Sequence, residues 1–170
     1  INGSSIAIRY IDGELFKAIS KKGEDVTSKI KELRNIPKKI PIKRDFQIRG
    51  VLYEPFQTSD YSRLITNEYL LEGKVKSNKL LLCCFQILNG KLNQYKTLYY
   101  LKKCGFRTPT YYLTNFTSQV EFYRKEWLNG SIFSYYPNDG IVIKINSRKL
   151  QLIREKSYSS LKDWQYAIEK

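Results

Sequence analysis

The fold is decided by the stretch DGIVIKIN at residues 139–146, which predicts a β-strand with an acid at its start and one lysine among branched apolar residues. The period of two in a strand places the three isoleucines on one face and Val142 with Lys144 on the other. A lysine in an apolar strand must face an anion or solvent, because burying its charge unpaired is costly. Two interpretations are open: a phosphate site, with Asp139 facing a metal and Lys144 a phosphate oxygen, or an amphipathic edge strand with a solvated lysine.

The composition is that of a basic chain with the size of one domain. Its 170 residues are enough to bury a hydrophobic core, and 30 Lys and Arg against 16 Asp and Glu give a net charge of +14. Such an excess attracts polyanions, of which nucleic acid is the first candidate. A general compositional preference for lysine is the alternative, since the chain is also rich in Ile, Asn and Tyr.

Histidine is absent from the sequence, and this excludes several kinds of site. Cys83, Cys84 and Cys104 form no Cys-x-x-Cys pair, so a zinc site is not expected. Nucleophilic catalysis through a Ser-His-Asp or Cys-His arrangement is also excluded. The sequence has no run of 18 apolar residues and no visible signal peptide, which predicts a cytoplasmic protein that does not enter a membrane.

Hydrophobic periodicity predicts an α+β fold in a single domain, residues 1–170, with antiparallel β-sheets flanked by helices. Asp12-Gly13 predicts a hairpin turn. Strands are expected at residues 6–10, 14–19, 46–53, 80–88, 139–146 and 166–168. Helices are expected at residues 25–33, 59–71, 94–104 and 118–128, whereas residues 148–155 fit neither pattern clearly.

Five short motifs follow one another at characteristic distances along the chain. They are Ile1-Asn2-Gly3, Gly23–Thr27, Arg34–Pro37, Arg49-Gly50 and Asp139–Asn146. In this order the chain resembles the adenylation (nucleotidyltransferase) domain of NAD+-dependent DNA ligases over nearly its whole length. The resemblance implies an ATP-grasp-like nucleotidyltransferase core.

The chemistry of that family is implied by the same resemblance. A lysine amine attacks the α-phosphate of NAD+, releases nicotinamide mononucleotide and retains AMP, which then passes to the 5′-phosphate of a DNA nick. Such reactions depend on positioning and on cations that stabilise phosphate oxygens. NAD or AMP and Mg are therefore the implied ligands, and DNA is the implied partner. The implied nucleotide-binding residues are Asn2, Gly3, Lys21, Arg49, Lys144 and Lys170, and the implied magnesium ligand is Asp139.

The chain departs from the family pattern at several positions that carry this chemistry. The nucleophilic lysine would stand directly before Ile1, Asn2 replaces an aspartate, and Val51 replaces the glutamate of the Arg-Gly-Glu motif. Lys21 stands where the family has an arginine. The small domain that captures the nicotinamide half, and the later oligonucleotide-binding, zinc and helix-hairpin-helix domains, are expected to be absent.

Two functions of different classes are compatible with these residues. The first is an impaired adenylation domain that still binds an adenine nucleotide and nicked DNA in replication or repair, since the loss of two carboxylates limits metal-assisted turnover. The second is a non-catalytic basic module, derived from the ligase fold, that binds DNA or a protein partner. In such a module the tyrosine pairs could stack on bases, unless they pack with one ring in the core and one at the surface; these pairs are Tyr99-Tyr100, Tyr111-Tyr112 and Tyr135-Tyr136. An apolar patch at residues 133–137 would suit a protein partner.

Overall fold

The structure, a computed structural model, describes residues 1–73, 79–88, 90–154 and 165–169. It confirms the predicted α+β class with antiparallel sheets. The strands are β1 (Ser4–Ile11), β2 (Glu14–Ser20), β3 (Phe46–Tyr53), β4 (Leu81–Ile87), β5 (Gly140–Lys144) and β6 (Gln165–Glu169). The helices are α1 (Thr27–Glu32), α2 (Ser59–Glu72), α3 (Gln94–Lys103), α4 (Thr117–Leu128) and α5 (Arg148–Arg154). None of the helices in these ranges is long and apolar enough to cross a membrane.

The β1–β2 hairpin confirms the prediction of an Asp-Gly turn. Ile11 pairs with Glu14, and the two residues between them, Asp12 and Gly13, have φ angles of 50° and 82°. Two positive φ angles in a two-residue loop are typical of the type I′ turn, whose twist matches that of the flanking strands. A Cβ on Gly13 would also lie 2.5 Å from the Ile40 carbonyl oxygen, so the position requires glycine for space as well as for conformation.

The four-stranded sheet, called here the first sheet, has the strand order β2-β1-β3-β4 and holds the hydrophobic core on one face. Ile6 and Ile8 of β1 and Ile48 and Leu52 of β3 are almost fully buried there. Helices α1 and α2 and the connector at residues 33–42 contribute apolar side chains to the same cluster. Because the side-chain period of a strand is two, this burial also fixes which residues turn to the opposite face.

That opposite face of the first sheet, called the second face, carries part of the Arg-Gly motif. Gly50 pairs with Cys84, and both are buried on the core side. Arg49 and Val51 alternate with Gly50 and therefore lie on the second face. Val51 pairs with the buried Cys83 of β4. The second face is thus the side of the sheet on which side chains remain available for a site.

Both outer edges of the first sheet make hydrogen bonds to connectors of the same chain. On β4, the Asn35 side-chain amide donates to the Leu82 carbonyl oxygen at 2.8 Å, and its oxygen accepts from the Leu82 N–H at 3.2 Å. On β2, the Leu15 N–H donates to the Lys38 carbonyl oxygen at 3.0 Å. Asn35 lies in the Arg34–Pro37 motif, so this motif completes the hydrogen bonding of an edge strand.

The Gly23–Thr27 motif fixes the start of α1. The Asp25 carboxylate accepts from the Thr27 N–H at 3.0 Å and from its hydroxyl at 2.6 Å. The Thr27 hydroxyl oxygen accepts in turn from the Ala18 N–H of β2 at 2.9 Å. The hydrogen bonds from Thr27 lower the pKa of Asp25. These bonds attach the helix to the hairpin, which is a structural role.

The second, two-stranded sheet consists of β5 and β6, with Ile143 opposite Tyr166. Helix α5 follows β5 and forms within residues whose sequence pattern is ambiguous. The Ser147 hydroxyl accepts from the Leu150 N–H at 3.4 Å, and the Gln151 side chain donates to the Ile145 carbonyl oxygen at 2.6 Å. The helix is therefore held by polar contacts to the end of β5, which hydrophobic periodicity does not report.

Gly50→Ala tests the close approach of β3 and β4. A Cβ on Gly50 would lie 2.7 Å from the Cys83 carbonyl oxygen, so we expect the free energy of unfolding to fall by about 3 kcal/mol. Gly130→Ala is the control, because Gly130 has a φ of 76° and nothing within 4 Å of an added Cβ; it should cost only about 1 kcal/mol. Urea denaturation measures the free energy of unfolding of both variants. Equal decreases would show that the close approach of β3 and β4 at Gly50 adds no penalty for an extra methyl group.

Candidate functional site

The first residues of the chain lie between β3 and the loop before β5. The Asn2 N–H donates to the Pro137 carbonyl oxygen at 2.6 Å. A Cβ on Gly3 would overlap the Leu52 carbonyl oxygen, so only glycine lets the backbone run this close to β3. Gly3, which the resemblance implies as a nucleotide contact, therefore has a packing role that positions residues 1 and 2.

Helix α2 holds this segment through a stripe of hydroxyl side chains. The Ser59 hydroxyl accepts from the Asn2 side-chain amide at 2.8 Å, and the Ser62 hydroxyl donates to the Asn2 carbonyl oxygen at 2.8 Å. One turn further on, the Ser4 and Thr66 hydroxyls are 2.9 Å apart. Positions 59, 62 and 66 lie on one side of a helix. The hydroxyl spacing is therefore a sequence signal for this contact, beside the apolar pattern that predicted the helix.

Arg63, also in α2, joins the N-terminal segment to the residue before β5. Its Nη2 atom donates to Asn2 Oδ1 at 2.9 Å and to Asp139 Oδ2 at 3.0 Å. We call these three side chains the Arg63 bridge. The side chains of Arg63 and Asp139 are 47% and 60% exposed, so the ion pair itself adds only about 0–1 kcal/mol of stability. None of the five motifs includes Arg63; its sequence signal is a basic residue directly after Ser62.

The charges of the Arg63 bridge and of β5 act together at the start of the chain. Hydrogen bonding from Asn2 is the largest cause that lowers the pKa of Asp139, and Arg63 lowers it further. Asp139, Arg63 and Lys144 lie close enough to position 1 to act on a charge placed there. Asp139 is ionised at neutral pH, so one anion and two cations lie in this region.

Lys144 is held against the first sheet. Its Nζ atom lies 5.3 Å from the centroid of the Phe85 ring in β4, which is within the range of a cation–π interaction. The side chain is partly buried, as are Ile141 and Ile143 of the same strand. Lys144 therefore connects β5 of the second sheet to Phe85 of β4 in the first sheet.

The Tyr135-Tyr136 pair packs against other aromatic residues of the chain. The ring of Tyr53, which is buried, lies 6.3 Å from that of Tyr135 and 5.8 Å from that of Tyr136, measured between centroids. Phe56 is 4.8 Å from Tyr135 in an edge-to-face arrangement, and the Arg107 guanidinium lies 6.0 Å above the same ring. Segment 133–137 is therefore joined to the second face at Tyr53 rather than standing away from it.

The remaining predicted site residues lie apart from the Arg63 bridge. Arg49 lines a separate cavity of about 260 Å³ together with Gln86, Arg148 and Gln151. Lys21 is exposed in the turn that follows β2, at the opposite edge of the first sheet from β4. Lys170 lies outside the described residues. The structure therefore brings together Asn2, Asp139 and Lys144 of the predicted set, and adds Arg63 to them.

The sequence is similar to a known family of domains. The family described as "NAD-dependent DNA ligase adenylation domain" matches residues 1–78. The chain is a relative of that domain. A DNA ligase of Ehrlichia ruminantium (strain Welgevonden) is 32% identical over 174 residues, which cover 90% of this chain and 26% of that protein. A DNA ligase of Petrotoga mobilis is 30% identical over 178 residues (89% and 27%), and one of Mycoplasma capricolum is 30% identical over 177 residues (89% and 26%).

The chain spans about a quarter of the length of the curated ligases it matches. The similarity confirms the resemblance to a ligase adenylation domain, to which the α+β fold with antiparallel sheets conforms. Asn2 and Val51, the two residues that replace carboxylates of the family pattern, lie in different surroundings. Asn2 is part of the Arg63 bridge, whereas Val51 lies between Ser5 of β1 and Cys83 of β4. Hydrocarbon, hydroxyl and thiol groups thus surround the position of the family's glutamate.

The side chains around position 1 fit an anionic ligand better than a metal ion. Lys144 and Arg63 are both cationic, and phosphate oxygens are natural partners for an ammonium and a guanidinium. A magnesium ion prefers an octahedral set of oxygen ligands, usually with one or two carboxylates. Asp139 already accepts from Arg63, and no group of three His, Cys, Asp or Glu side chains suited to a metal occurs among the described residues. Magnesium at Asp139 therefore stays a prediction that the neighbouring groups do not favour.

Proposed function

We propose that this chain binds the adenylate part of NAD+, or AMP, as a DNA-ligase-type adenylation domain whose transfer chemistry is impaired. The observation that carries the proposal is the convergence on position 1 of Asn2, Arg63, Asp139 and Lys144. These residues come from three separate parts of the chain, and three of them belong to motifs of the family. The nucleotide would lie beside the Arg63 bridge and Lys144, in an ATP-grasp-like core.

Lys144 is the residue that we expect to contact a nucleotide phosphate. An ammonium and a guanidinium in the same region favour a ligand with negative charge on several oxygens, because phosphate oxygens are natural partners for both groups. The Phe85 ring keeps the ammonium near the sheet without neutralising its charge. In the family's reaction, NAD+ supplies the activated adenylate; the residues of this chain would bind and orient it.

The loss of two carboxylates supports the impaired part of the proposal. Transfer of AMP requires stabilisation of negative charge at the α-phosphate and a fixed ribose, and carboxylates contribute through metal ions and ribose hydroxyls. Asn2 can donate and accept hydrogen bonds but carries no charge. Val51 can do neither. We therefore infer that this chain retains nucleotide binding but is impaired in the transfer of AMP. The residue before Ile1 decides whether any transfer of AMP is possible.

Nucleotide binding is tested by the thermal stability of the protein. NAD+ or AMP at ten times its dissociation constant should add about 1.4 kcal/mol, which corresponds to a rise in melting temperature of about 3–6 °C. Lys144→Met should lose most of this rise, because the phosphate contact is removed. Lys91→Met is the matched control: Lys91 is exposed, lines a cavity that does not include Lys144 and should leave the rise unchanged. A wild-type protein that neither ligand stabilises would rule out the proposal.

Impairment is tested by supplying what the family pattern lacks. In a chain with a lysine added directly before Ile1, incubation with NAD+ labelled in the adenylate should leave little covalent AMP. Adding Asn2→Asp and Val51→Glu to the same chain should raise the adenylated fraction at least about tenfold, as removing one electrostatic group from a catalytic site often costs this much or more. Mass spectrometry measures the adduct. Equal adenylation in both chains would contradict the impairment but not nucleotide binding.

A second candidate function, DNA binding without catalysis, is favoured by the basic residues outside the Arg63 bridge. A cavity of about 580 Å³ beside the start of α3 is lined by Lys91, Lys96 and Arg148 together with polar side chains. Arg148 also lines the smaller cavity that contains Arg49. With a net charge of +14, these cations form a surface suited to a phosphate backbone. The two functions are compatible, since a ligase-type domain would need both.

Salt dependence tests the contribution of this surface. Binding of a 20-base-pair DNA duplex should weaken with salt, and Lys91→Gln with Lys96→Gln should reduce the slope of log K against log salt by about two. Lys22→Gln with Lys38→Gln removes the same charge from exposed turns near the β1–β2 hairpin and should leave the slope nearly unchanged. Fluorescence anisotropy measures both slopes. Equal reductions would mean that net charge alone attracts DNA.

A further inference from the structure

We infer that Arg63 takes the place of a divalent cation beside Asp139, so that this chain binds its ligand without recruiting a metal through that carboxylate. The role of Arg63 at a nucleotide site rests on the proposed function. Its competition with a metal ion rests only on the contacts of the Arg63 bridge. Arg63 is thus inferred to be a positioning residue, acting on Asn2 and Asp139 rather than on a reacting atom.

The hydrogen bonds of Arg63 occupy Asn2 Oδ1 and one of the two carboxylate oxygens of Asp139, both of which are oxygens that a metal ion could use. One guanidinium nitrogen bridges Asn2 Oδ1 and Asp139 Oδ2 at 2.9 and 3.0 Å. The other terminal nitrogen lies 3.5 Å from Asp60 Oδ1 in the first turn of α2. The Asn2 amide nitrogen is itself engaged with Ser59. A guanidinium has donors in a fixed plane, so it joins two acceptors that otherwise have no common partner on α2.

The charge balance also opposes a metal at this position. Asp139 contributes one negative charge, and Arg63 already offsets it. A divalent ion bound at Asp139 would lie on the order of 6 Å from the guanidinium, which lowers its affinity about tenfold even at the dielectric constant of water. Lys144, whose charge acts on the same position 1, adds to the repulsion. The ion would also need to displace Arg63 from Asp139 or share the carboxylate with it.

The neutral side chain at position 2 leaves the charges of Arg63 and Asp139 balanced, with no negative charge remaining for a metal ion. Asn2 offers Arg63 an amide oxygen but no second negative charge. With an aspartate there, two carboxylates would face a single guanidinium and leave a net negative charge for a metal ion. With Asn2, the described side chains of the Arg63 bridge are neutral in sum. Asn2 in place of an aspartate and Arg63 beside Asp139 therefore act together: a guanidinium, rather than a metal ion, supplies the positive charge next to Asp139.

The experiment uses Mn²⁺ alone as a paramagnetic probe, with no nucleotide present. In wild-type protein, Mn²⁺ should not broaden the Gly140 amide resonance, next to Asp139, at concentrations that broaden it in Arg63→Gln; the variant should bind at least about tenfold more tightly. Arg63→Lys keeps the charge and should behave like wild type. Asp139→Asn combined with Arg63→Gln should lose the broadening, which locates the ion. NMR spectra of each variant also report whether it is folded.

Two results would overturn the inference. One is Mn²⁺ that binds at Asp139 equally well in wild type and Arg63→Gln; the other is an Arg63→Gln variant whose own NMR spectrum shows that it is folded but which gains no Mn²⁺ site. Failure of the proposed function gives a different result, since it appears as an absence of stabilisation by NAD+ or AMP whatever the metal. If nucleotide does stabilise the wild type, the rise in melting temperature should be the same with and without Mg²⁺. A rise that requires Mg²⁺ in the wild type would also overturn the inference.

Discussion

The arrangement of the site depends on one close approach of backbone to backbone, that of Gly3 to β3. No side chain fits between position 3 and the Leu52 carbonyl oxygen, and the hydroxyl stripe of α2 holds the same segment from the other side. Residues 1 and 2 are therefore fixed relative to the first sheet before any side chain of the site is considered. Arg63 then joins Asn2 to Asp139, and its exposed ion pair with Asp139 would not organise the site without the fixed position of Asn2.

Much of the fold follows from local signals in the sequence. Asp12-Gly13 specifies a turn with two positive φ angles, and the alternating pattern of residues 46–53 specifies a strand and its buried face. The same logic identifies the strand at 139–146, although only Gly140–Lys144 pairs with a partner strand in the described residues. Such predictions succeed because hydrophobic period and turn chemistry depend on neighbours in sequence. The strand expected at residues 80–88 is likewise observed as β4, in which Cys83 and Cys84 are buried.

The rest of the site depends on contacts between distant residues, which no local pattern reports. Arg63 meets Asp139 across 76 positions of sequence, and the motifs alone would assign that carboxylate to a metal. Asn35 and Asp25 belong to motifs that signal a ligase-like domain, yet their side chains bond to backbone and to a neighbouring hydroxyl. Helix α5 is held by polar contacts of Ser147 and Gln151, and an apolar pattern therefore gives little indication of it. Motif order thus indicated the family better than it indicated the role of each residue.

The hydrogen bonds of Asn35 and Leu15 have a consequence for how this basic domain behaves in solution. An open sheet edge exposes unpaired N–H and C=O groups, and these can pair with the edge of a second molecule and begin aggregation. Here a side-chain amide occupies Leu82 on β4, and the connector at Lys38 occupies Leu15 on β2. Another chain could extend the sheet at either place only after breaking bonds that the protein already makes with itself. The two connectors therefore hinder strand pairing between molecules at both edges of the first sheet.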